Sequence, residues 1–404
     1  MGGTERLYWQ DPYARAFEAT VTEVTPGENG EHVVTLEQTL FYPEAGGQRC
    51  DVGTLGGAEV LHVDDDNGVL RHRIRGPAPE RGQKVTGQVD WARRFDMMQQ
   101  HTAQHILSAG FHEVLKAATV SARLGERGCT IDLGDLKEIP LDVVFQVEDR
   151  INQVIWDDRA VRAHFPSPEE LARMPLRRTP KVDEGIRVIE VEEFDFSPCG
   201  GTHVRRTGEL GAIRVLKTER YKGGIRAEFC AGSRALREAR EKAGILEKLG
   251  AMLSSGAPEV AVAVEKLQGA LRQETRARSE LWGELVQHLA GRYAAQAVML
   301  GSRRAVVAAL ERRSRAEART LAMRLTADDP TCACALVVEE DGRPQLVVSA
   351  GAQSGVNAGA VVKRATTEVG GRGGGKPELA EGAGPAGGST DALLDAVRKA
   401  VSEM

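Results

Sequence analysis

Hydrophobic and polar residues alternate with a period of two through much of the first 90 residues. The clearest runs cover 17–24, 32–36, 58–63 and 84–89. Turn residues such as Pro26-Gly27, Gly46-Gly47 and Asn67-Gly68 separate these runs. Short alternating segments between Gly and Pro are typical of antiparallel strands joined by tight turns. The pattern predicts a small β-barrel over residues 1–90.

From Trp91 the spacing of apolar residues changes from two to about 3.6, which indicates helix and marks a domain boundary. The residues predict long helices over 91–116 and 142–158, and Ser167-Pro-Glu-Glu170 is a capping box that begins a third. Helices over one antiparallel sheet would make residues 91–233 a two-layer α+β domain. The strands predicted for that sheet are 130–133, 159–165, 186–191, 210–216 and 226–230.

The remaining chain is helical at first and then mixes strands with helices. A break at 254–258 divides the helical pattern and predicts a helical hairpin over 234–300. Residues 301–404 then form an α/β domain, so the predicted fold class is multidomain α+β. The elements predicted in this last domain are strands over 305–310, 331–338 and 345–349 and helices over 314–326, 357–367 and 389–402.

Composition narrows the class of protein. With 404 residues, 41% hydrophobic and 27% charged, the chain matches an ordinary globular protein. No apolar run approaches the length of a membrane span, and no basic and apolar leader opens the chain. Six Cys without a regular framework favour reduced thiols. We therefore expect a cytoplasmic protein with neither a membrane segment nor a secretory signal.

Charge is unevenly distributed along the chain. The net charge is −5, but Arg234 to Arg324 contains 17 Lys and Arg against 10 Glu and no Asp. That segment carries +7 and leaves −12 elsewhere. A solvated helix face and a contact with a tRNA backbone both account for such a segment.

Four residues from two distant stretches form a candidate zinc site. His101 and His105 are one helical turn apart, so both imidazoles can reach one ion. Cys199 and His203 flank Gly200-Gly201, which lets the backbone double back. A lone His pair on a helix is usually solvated, but the second pair supplies the thiolate and imidazole that Zn²⁺ prefers.

These motifs carry a resemblance to a known family. His-x-x-x-His followed later by Cys-Gly-Gly-Thr-His resembles the editing domain of alanyl-tRNA synthetase and its freestanding relatives, the AlaX proteins. Residues 39–48, Thr-Leu-Phe-Tyr-Pro-Glu-Ala-Gly-Gly-Gln, are similar to the family's glycine-rich motif. Residues 370–382 are similar to the signature of the C-terminal DHHA1 domain of the longer members. The resemblance covers almost the whole chain, in the right order.

The resemblance implies a zinc-dependent hydrolase of mischarged Ser-tRNA(Ala), with Gly-tRNA(Ala) as a further substrate. Zinc lowers the pKa of bound water to about 7 and polarises an ester carbonyl. The family site is catalytic, so of the four ligands we expect His203 or His101 to be weak or displaced by substrate or water. The resemblance also makes Thr39 the reader of the serine hydroxyl and adds Gln48, Thr202 and Arg226 as catalytic candidates.

Each of these four residues has a plainer interpretation. Thr39 fits a strand by its β propensity alone, and Gln48 ends what could be an ordinary hairpin turn. Thr202 lies between two ligands, where it could bond the thiolate or the ribose. Arg226 either supports the site or pairs near Glu228.

Transfer RNA is the expected partner. In 120–125 the chain departs from the family pattern and carries Ala122 and Arg123, which casts doubt on a catalytic role there but leaves Arg123 able to neutralise the terminal phosphate. The glycine-rich segment is a poor nucleotide site because Pro377 follows its lysine. It is either a flexible loop or a cradle for tRNA phosphates. Its candidate RNA-binding residues are Gly371, Arg372, Gly373, Gly374, Gly375 and Lys376.

Two other functions compete with editing. One is a non-catalytic RNA-binding protein stabilised by zinc. The other is a phosphodiesterase that shares the DHHA1 domain, which is disfavoured because the chain has no Asp-His-His triplet. The first 90 residues also lack class II motifs for amino-acid activation, so we expect a protein that removes amino acids from tRNA. Homodimerisation through the C-terminal half stays open.

Overall fold

The computed structural model describes residues 3–126, 128–180 and 185–404. The chain divides into two compact units, Met1–Lys248 and Leu249–Met404. The predicted segments 1–90 and 91–233 thus share the first unit, and 301–404 lies in the second. The boundary between the units falls inside the predicted hairpin segment 234–300.

A closed six-stranded barrel occupies the first part of unit one. Its strands follow the order β2-β3-β7-β6-β5-β8. Burial alternates most clearly in β8, where Val85, Gly87 and Val89 are buried between exposed neighbours. Outside the barrel, β1 pairs with β4 in a two-residue parallel sheet. The elements of this part are β1 Glu5–Arg6, α1 Leu7–Gln10, β2 Ala16–Pro26, β3 His32–Leu36, β4 Gln38–Thr39, β5 Gly53–Leu55, β6 Ala58–Asp66, β7 Val69–Arg75 and β8 Lys84–Val89.

The long helix α2 Trp91–Leu115 begins directly after the barrel. Asp90 caps it by accepting a hydrogen bond from the Arg93 N–H, and Lys116 ends it in the left-handed conformation. Most of the helix is buried. Helix α3 Leu141–Trp156 packs on it, and Gly110 allows the close approach, because a Cβ there would lie 2.3 Å from Ile151 Cγ2.

Two antiparallel sheets accompany these helices, where the sequence predicts one. The four-stranded sheet has the order β14-β15-β10-β9, and the three-stranded sheet has the order β11-β12-β13. The capping box of Ser167 and Glu170 is confirmed, although its helix lasts a single turn. The elements are β9 Thr119–Leu124, β10 Cys129–Leu133, β11 Val161–His164, α4 Pro168–Leu171, β12 Val188–Val191, β13 Asp195–Pro198, β14 Ile213–Tyr221, β15 Gly224–Ala231 and α5 Ser233–Leu253.

Unit two contains a six-stranded sheet with the order β16-β17-β18-β19-β21-β20, in which only β17 and β18 run parallel. The glycine-rich segment is an edge strand, β20, so the flexible-loop interpretation is wrong. Glycine is needed there because a Cβ on Gly373 would lie 2.6 Å from the Cα of Gly382 on β21. The elements are α6 Val260–Ala294, β16 Val298–Leu300, β17 Arg303–Ala309, α7 Arg315–Asp328, β18 Cys332–Glu340, β19 Arg343–Ala350, α8 Ala358–Glu368, β20 Arg372–Gly375, β21 Leu379–Ala383 and α9 Thr390–Ser402.

Within the described ranges, none of the helices combines the length and the apolar character needed to cross a bilayer.

Candidate metal centre

The four predicted ligands converge in unit one. The ligand atoms of His101, His105, Cys199 and His203 all lie within 4.8 Å of one another. Cys199 Sγ is 3.3 Å from His101 Nε2 and 3.4 Å from His203 Nε2. Two ligands bound to one tetrahedral zinc at about 2.3 Å and 2.1 Å would stand roughly 3.5 Å apart. The donors and their spacing therefore fit a single zinc ion.

The loop between β13 and the following 3₁₀ turn presents the second pair of ligands. Gly201 is required by close contact, because a Cβ there would lie 2.2 Å from His101 Cε1. The Gly201 N–H donates to Cys199 Sγ at 3.4 Å. Trp9 Nε1 donates to the carbonyl of Gly200 at 2.8 Å and fastens the loop to the barrel. These contacts hold the Cys199 thiolate close to His101 on helix α2.

Gln48 fixes the orientation of the His101 ring. Its Oε1 accepts from His101 Nδ1 at 2.7 Å, and its Nε2 donates to Thr202 Oγ1 at 2.9 Å. The Nε2 of His101 is thereby left free to bind an ion. The turn that carries Gln48 is held on β9, because Leu124 N–H donates to the Gly47 carbonyl at 2.8 Å. Gln48 and Thr202 are both fully buried beside the cluster, and their predicted catalytic roles stay predictions.

The other two imidazoles have partners that the sequence did not reveal. The Thr102 hydroxyl donates to the Met98 carbonyl and accepts from His203 Nδ1 at 3.1 Å, which leaves the Nε2 of His203 free. His105 Nδ1 lies 3.5 Å from Asp195 Oδ2 without a hydrogen bond to any described residue. A carboxylate behind a metal-binding histidine is a common arrangement that orients the ring.

The cluster holds its thiol and one imidazole in the protonation states that metal binding requires. Burial alone would raise the pKa of Cys199, but the imidazoles of His101, His203 and His105 outweigh it and hold that pKa well below the ordinary value. Burial and the neighbouring His101 keep the pKa of His203 well below its usual range. A thiolate beside a neutral imidazole is the form in which these groups bind metal. Burial alone would lower the pKa of His105, but Cys199 and Asp195 outweigh burial and raise that pKa above its ordinary value.

Arg187 is a further buried residue of the site that sequence reasoning missed. Its side chain donates to the carbonyls of Cys199 at 3.0 Å and Gly201 at 2.7 Å, so it supports the ligand loop from behind. Burial lowers the pKa of this guanidinium, and the Cys199 thiolate opposes that effect. The sequence signal was weak, because Arg187 is one of 53 basic residues and lies 12 positions before Cys199.

A cleft of about 560 Å³ opens beside the metal cluster. His101 and Cys199 form part of its wall, together with Gly200 and Gly201 of the ligand loop. The wall also contains four guanidinium groups. Two of them are already paired with carboxylates, Arg6 with Asp65 and Arg177 with Asp195, each at 2.7 Å. A cleft of this kind suits an anionic ligand that reaches the metal site. The four basic residues are Arg6, Arg177, Arg178 and Arg187.

Thr39 does not line this cleft. It is fully buried in the barrel, where its hydroxyl donates to His72 Nε2 at 3.0 Å and accepts from the Phe41 N–H at 3.1 Å. The donor assignment follows because His72 Nδ1 faces the Val34 carbonyl, which can only accept. The predicted role of Thr39 in reading serine stays a prediction.

Arg226 and Arg123 line a second groove of about 490 Å³ that contains none of the four metal ligands. Arg226 pairs with Asp132 through two hydrogen bonds of 2.7 and 2.9 Å and lines the groove together with Glu228. Its predicted catalytic role stays a prediction. Its guanidinium also stacks 3.5 Å from the Tyr221 ring centroid. The stretch Gly371 to Lys376 lies in unit two, on and beside strand β20, and is exposed from Arg372 onward.

Three family models match the chain. The DHHA1 domain matches residues 302–403, the second additional domain of threonyl and alanyl tRNA synthetases matches 186–226, and the class II (A) tRNA synthetase model matches 13–93. The first of these matches coincides with most of the α/β part of unit two. The second contains Cys199 and His203, and the third falls on the closed barrel.

Curated relatives agree with these matches. An alanine–tRNA ligase of Natronomonas pharaonis is 33% identical over 99% of this chain and 44% of its own length. The alanyl-tRNA editing protein AlaX-L of Pyrococcus horikoshii is 35% identical over 59% of this chain and 60% of its own length. The chain therefore spans less than half of that ligase and three fifths of the editing protein.

Among solved structures, the C-Ala domain of alanyl-tRNA synthetase from Aquifex aeolicus matches 26% of this chain and 97% of that domain. The identity is 20% and the TM-score is 0.25, so this likeness supports no conclusion about fold or function.

Proposed function

Since the chain is a relative of the alanine–tRNA ligases and of an alanyl-tRNA editing protein, we propose that it is a zinc-dependent deacylase. It would cleave the ester of tRNA(Ala) mischarged with serine, and also of tRNA(Ala) mischarged with glycine. The observation that carries the proposal is the buried cluster of His101, His105, Cys199 and His203 at the wall of a basic cleft. Aminoacyl-tRNA is an ester on a polyanion, and this site combines metal ligands with cations.

His101, His105, Cys199 and His203 would hold the zinc, which when bound polarises an ester carbonyl and lowers the pKa of water. The surrounding residues keep the ligands in place. Gln48 and Thr102 each bond the Nδ1 of one imidazole, His101 and His203 respectively, so that its Nε2 is presented to the ion. Asp195 lies behind His105, where Arg177 Nε donates to it at 2.7 Å and the Ser197 hydroxyl at 2.9 Å. Such supporting partners typically change metal affinity or activity by about 10–100-fold when removed.

The arginines of the cleft would bind the acceptor end of the tRNA. Arg187 is fixed to the ligand loop, while Arg178 donates to the Pro198 carbonyl at 2.8 Å and is exposed. Guanidinium groups bind phosphate oxygens in a fixed bidentate geometry, which would orient the terminal nucleotides against the metal. In this arrangement the ester is delivered to the cluster from the cleft side.

Selection against alanine would depend on the serine hydroxyl. A pocket that hydrogen-bonds a substrate hydroxyl disfavours a substrate that lacks it, because the buried polar group is then left unpaired. Thr39 is the proposed partner by motif, with its hydroxyl released from His72. Glycine also lacks the serine hydroxyl, so any clearance of Gly-tRNA(Ala) would not use this contact.

Unit two would bind the body of the tRNA. The edge strand β20 is fully exposed and carries Arg372, with Lys376 following it. Backbone N–H groups and basic side chains on such an edge are suited to phosphate contacts, which position an RNA without reading its sequence. A cytoplasmic location fits a substrate of this class.

The proposal is tested by deacylation of Ser-, Gly- and Ala-tRNA(Ala) with purified protein, before and after treatment with a chelator. We expect clearance of the first two, little effect on Ala-tRNA(Ala), and loss of activity on metal removal with recovery on adding zinc. Circular dichroism of the chelated protein is the control. Retained fold with lost activity supports a catalytic metal, whereas unfolding of unit one without any hydrolysis by the zinc form would support the non-catalytic RNA-binding alternative.

A further inference from the structure

A second group of metal-binding side chains lies on the barrel, apart from the four-residue cluster. Glu44, Cys50 and His62 place one ligand atom each within 4.8 Å of the others. Cys50 Sγ is 3.3 Å from His62 Nδ1, the same separation that joins Cys199 to His101 in the first cluster. Two ligands of one zinc ion require a separation of about this size.

The backbone fixes this group without help from a metal. The Glu44 N–H donates to the Val63 carbonyl at 2.9 Å, which sets Glu44 beside the residue that follows His62 on β6. Arg93 Nε donates to the Cys50 carbonyl at 3.0 Å. The register of β6 against β7 shifts between Val60 and His62, and such a β-bulge redirects the side chains next to it. Three ligands are thus held on two separate stretches.

We propose that Glu44, Cys50 and His62 form a second site for a borderline-soft divalent ion, of which zinc is the natural example. A thiolate, an imidazole and a carboxylate are zinc ligands, and the thiolate disfavours magnesium and calcium. Burial decreases from Cys50 through His62 to Glu44, so the ion would enter from the Glu44 side and keep an open coordination position there.

The contacts that an incoming ion would have to replace at Glu44, Cys50 and His62 are weak. Glu44 now faces Arg49 at 3.4 Å, and both side chains are 42% exposed. An exposed ion pair of this kind contributes little to stability and is readily exchanged. Burial raises the pKa of Cys50, so an incoming ion must displace the thiol proton into solvent. Binding should therefore be weaker than at the first cluster.

An ion at this site would have a structural consequence for the first one. Cys50 lies two residues after Gln48, which orients His101, and Glu44 begins the same turn. An ion bound by Glu44, Cys50 and His62 would connect both ends of this turn to β6 and so restrict the motion of Gln48. The site would then affect the stability of the turn, with no direct part in hydrolysis.

The test counts zinc bound per full-length chain by equilibrium dialysis and elemental analysis. Wild type should bind two ions, while Cys50→Ser, His62→Gln and Glu44→Gln should each bind one. Glu44 is exposed, so that variant keeps the fold in any case. Cys129→Ser is the matched control, since Cys129 is buried outside both groups and should leave two ions bound. An ion count in Cys50→Ser equal to that of wild type would overturn the proposal.

Cobalt separates this site from the first one. In Cys199→Ala the thiolate of the four-residue cluster is gone, so any thiolate-to-cobalt absorption must come from another cysteine. We expect that band in Cys199→Ala, unchanged in Cys199→Ala/Cys129→Ser and absent from Cys199→Ala/Cys50→Ser. Its absence from Cys199→Ala would contradict the proposal. Neither readout uses tRNA, so failure of deacylation would leave the result unaffected.

Discussion

At the scale of single residues, Thr39 has a defined contact in the barrel and a predicted one with substrate. Its hydroxyl is the partner of His72 Nε2, so Thr39→Val leaves a buried ring nitrogen unpaired. We expect the free energy of unfolding to fall by about 1–3 kcal/mol. If the hydroxyl also reads serine, clearance of Ser-tRNA(Ala) should fall more than clearance of Gly-tRNA(Ala). Equal losses on the two substrates would show that Thr39 acts through the fold alone.

His72 itself makes the barrel sensitive to acid. Burial lowers the pKa of His72 to about 4, against an ordinary value near 6.5. Between these two pKa values His72 is protonated in the unfolded chain but neutral in the folded barrel. The free energy of unfolding therefore decreases as the pH falls. The loss should approach about 3 kcal/mol between pH 6.5 and pH 4. Urea unfolding of wild type and His72→Gln measures it, and an unchanged pH slope in the variant would contradict the assignment.

At the scale of elements, the ligand loop depends on a contact that only glycine permits. A Cβ on Gly201 would overlap the His101 ring, whereas a Cβ on Gly200 would meet only Trp9 Cζ2 at 3.8 Å. Gly201→Ala should weaken zinc binding by on the order of 10–100-fold, because the loop or the ring must move. Gly200→Ala is the matched control and should bind zinc normally. Equal affinities in a zinc competition assay would show that the loop adjusts freely.

The elements also show why the sequence predicts some parts of the site and misses others. Helix α2 is predicted almost to the residue because its apolar positions repeat over 25 residues. Strand β13 has only four residues, and its buried positions are the polar ones, Asp195 and Ser197, so no apolar pattern indicates that Asp195 is buried beside His105. The pairing of Arg226 with Asp132 was not predicted, because it depends on the register of β15 against β10.

At the scale of the whole molecule, the sequence predicts the four metal ligands from their residue types, but it does not predict the basic cleft beside them. His101 and Cys199 are recognisable by residue type and spacing alone. Arg6 and the adjacent pair Arg177 and Arg178 come from separate stretches whose convergence depends on tertiary packing. No local pattern distinguishes such arginines from those on an ordinary surface.

Because the chain divides into two units, we predict that removing the second unit weakens tRNA binding while ester hydrolysis continues. A chain ending at Lys248 keeps the barrel, the metal cluster and the cleft. It should still cleave Ser-tRNA(Ala), with KM raised by about 10-fold or more and kcat little changed, because distant phosphate contacts are equal in ground and transition states. The dependence of KM on salt should also flatten. An unchanged KM with the same salt slope would place tRNA binding in the first unit.

The central claim is that the four-residue cluster is the hydrolytic centre, and one matched pair of cysteine variants tests it. Cys199 lies in the cluster, while Cys129 is a buried cysteine outside it. The measurement is the rate of Ser-tRNA(Ala) deacylation by Cys199→Ala and Cys129→Ala, each supplied with excess zinc. We predict a rate near background for Cys199→Ala and a rate near wild type for Cys129→Ala. Wild-type deacylation by Cys199→Ala with zinc still bound would contradict it.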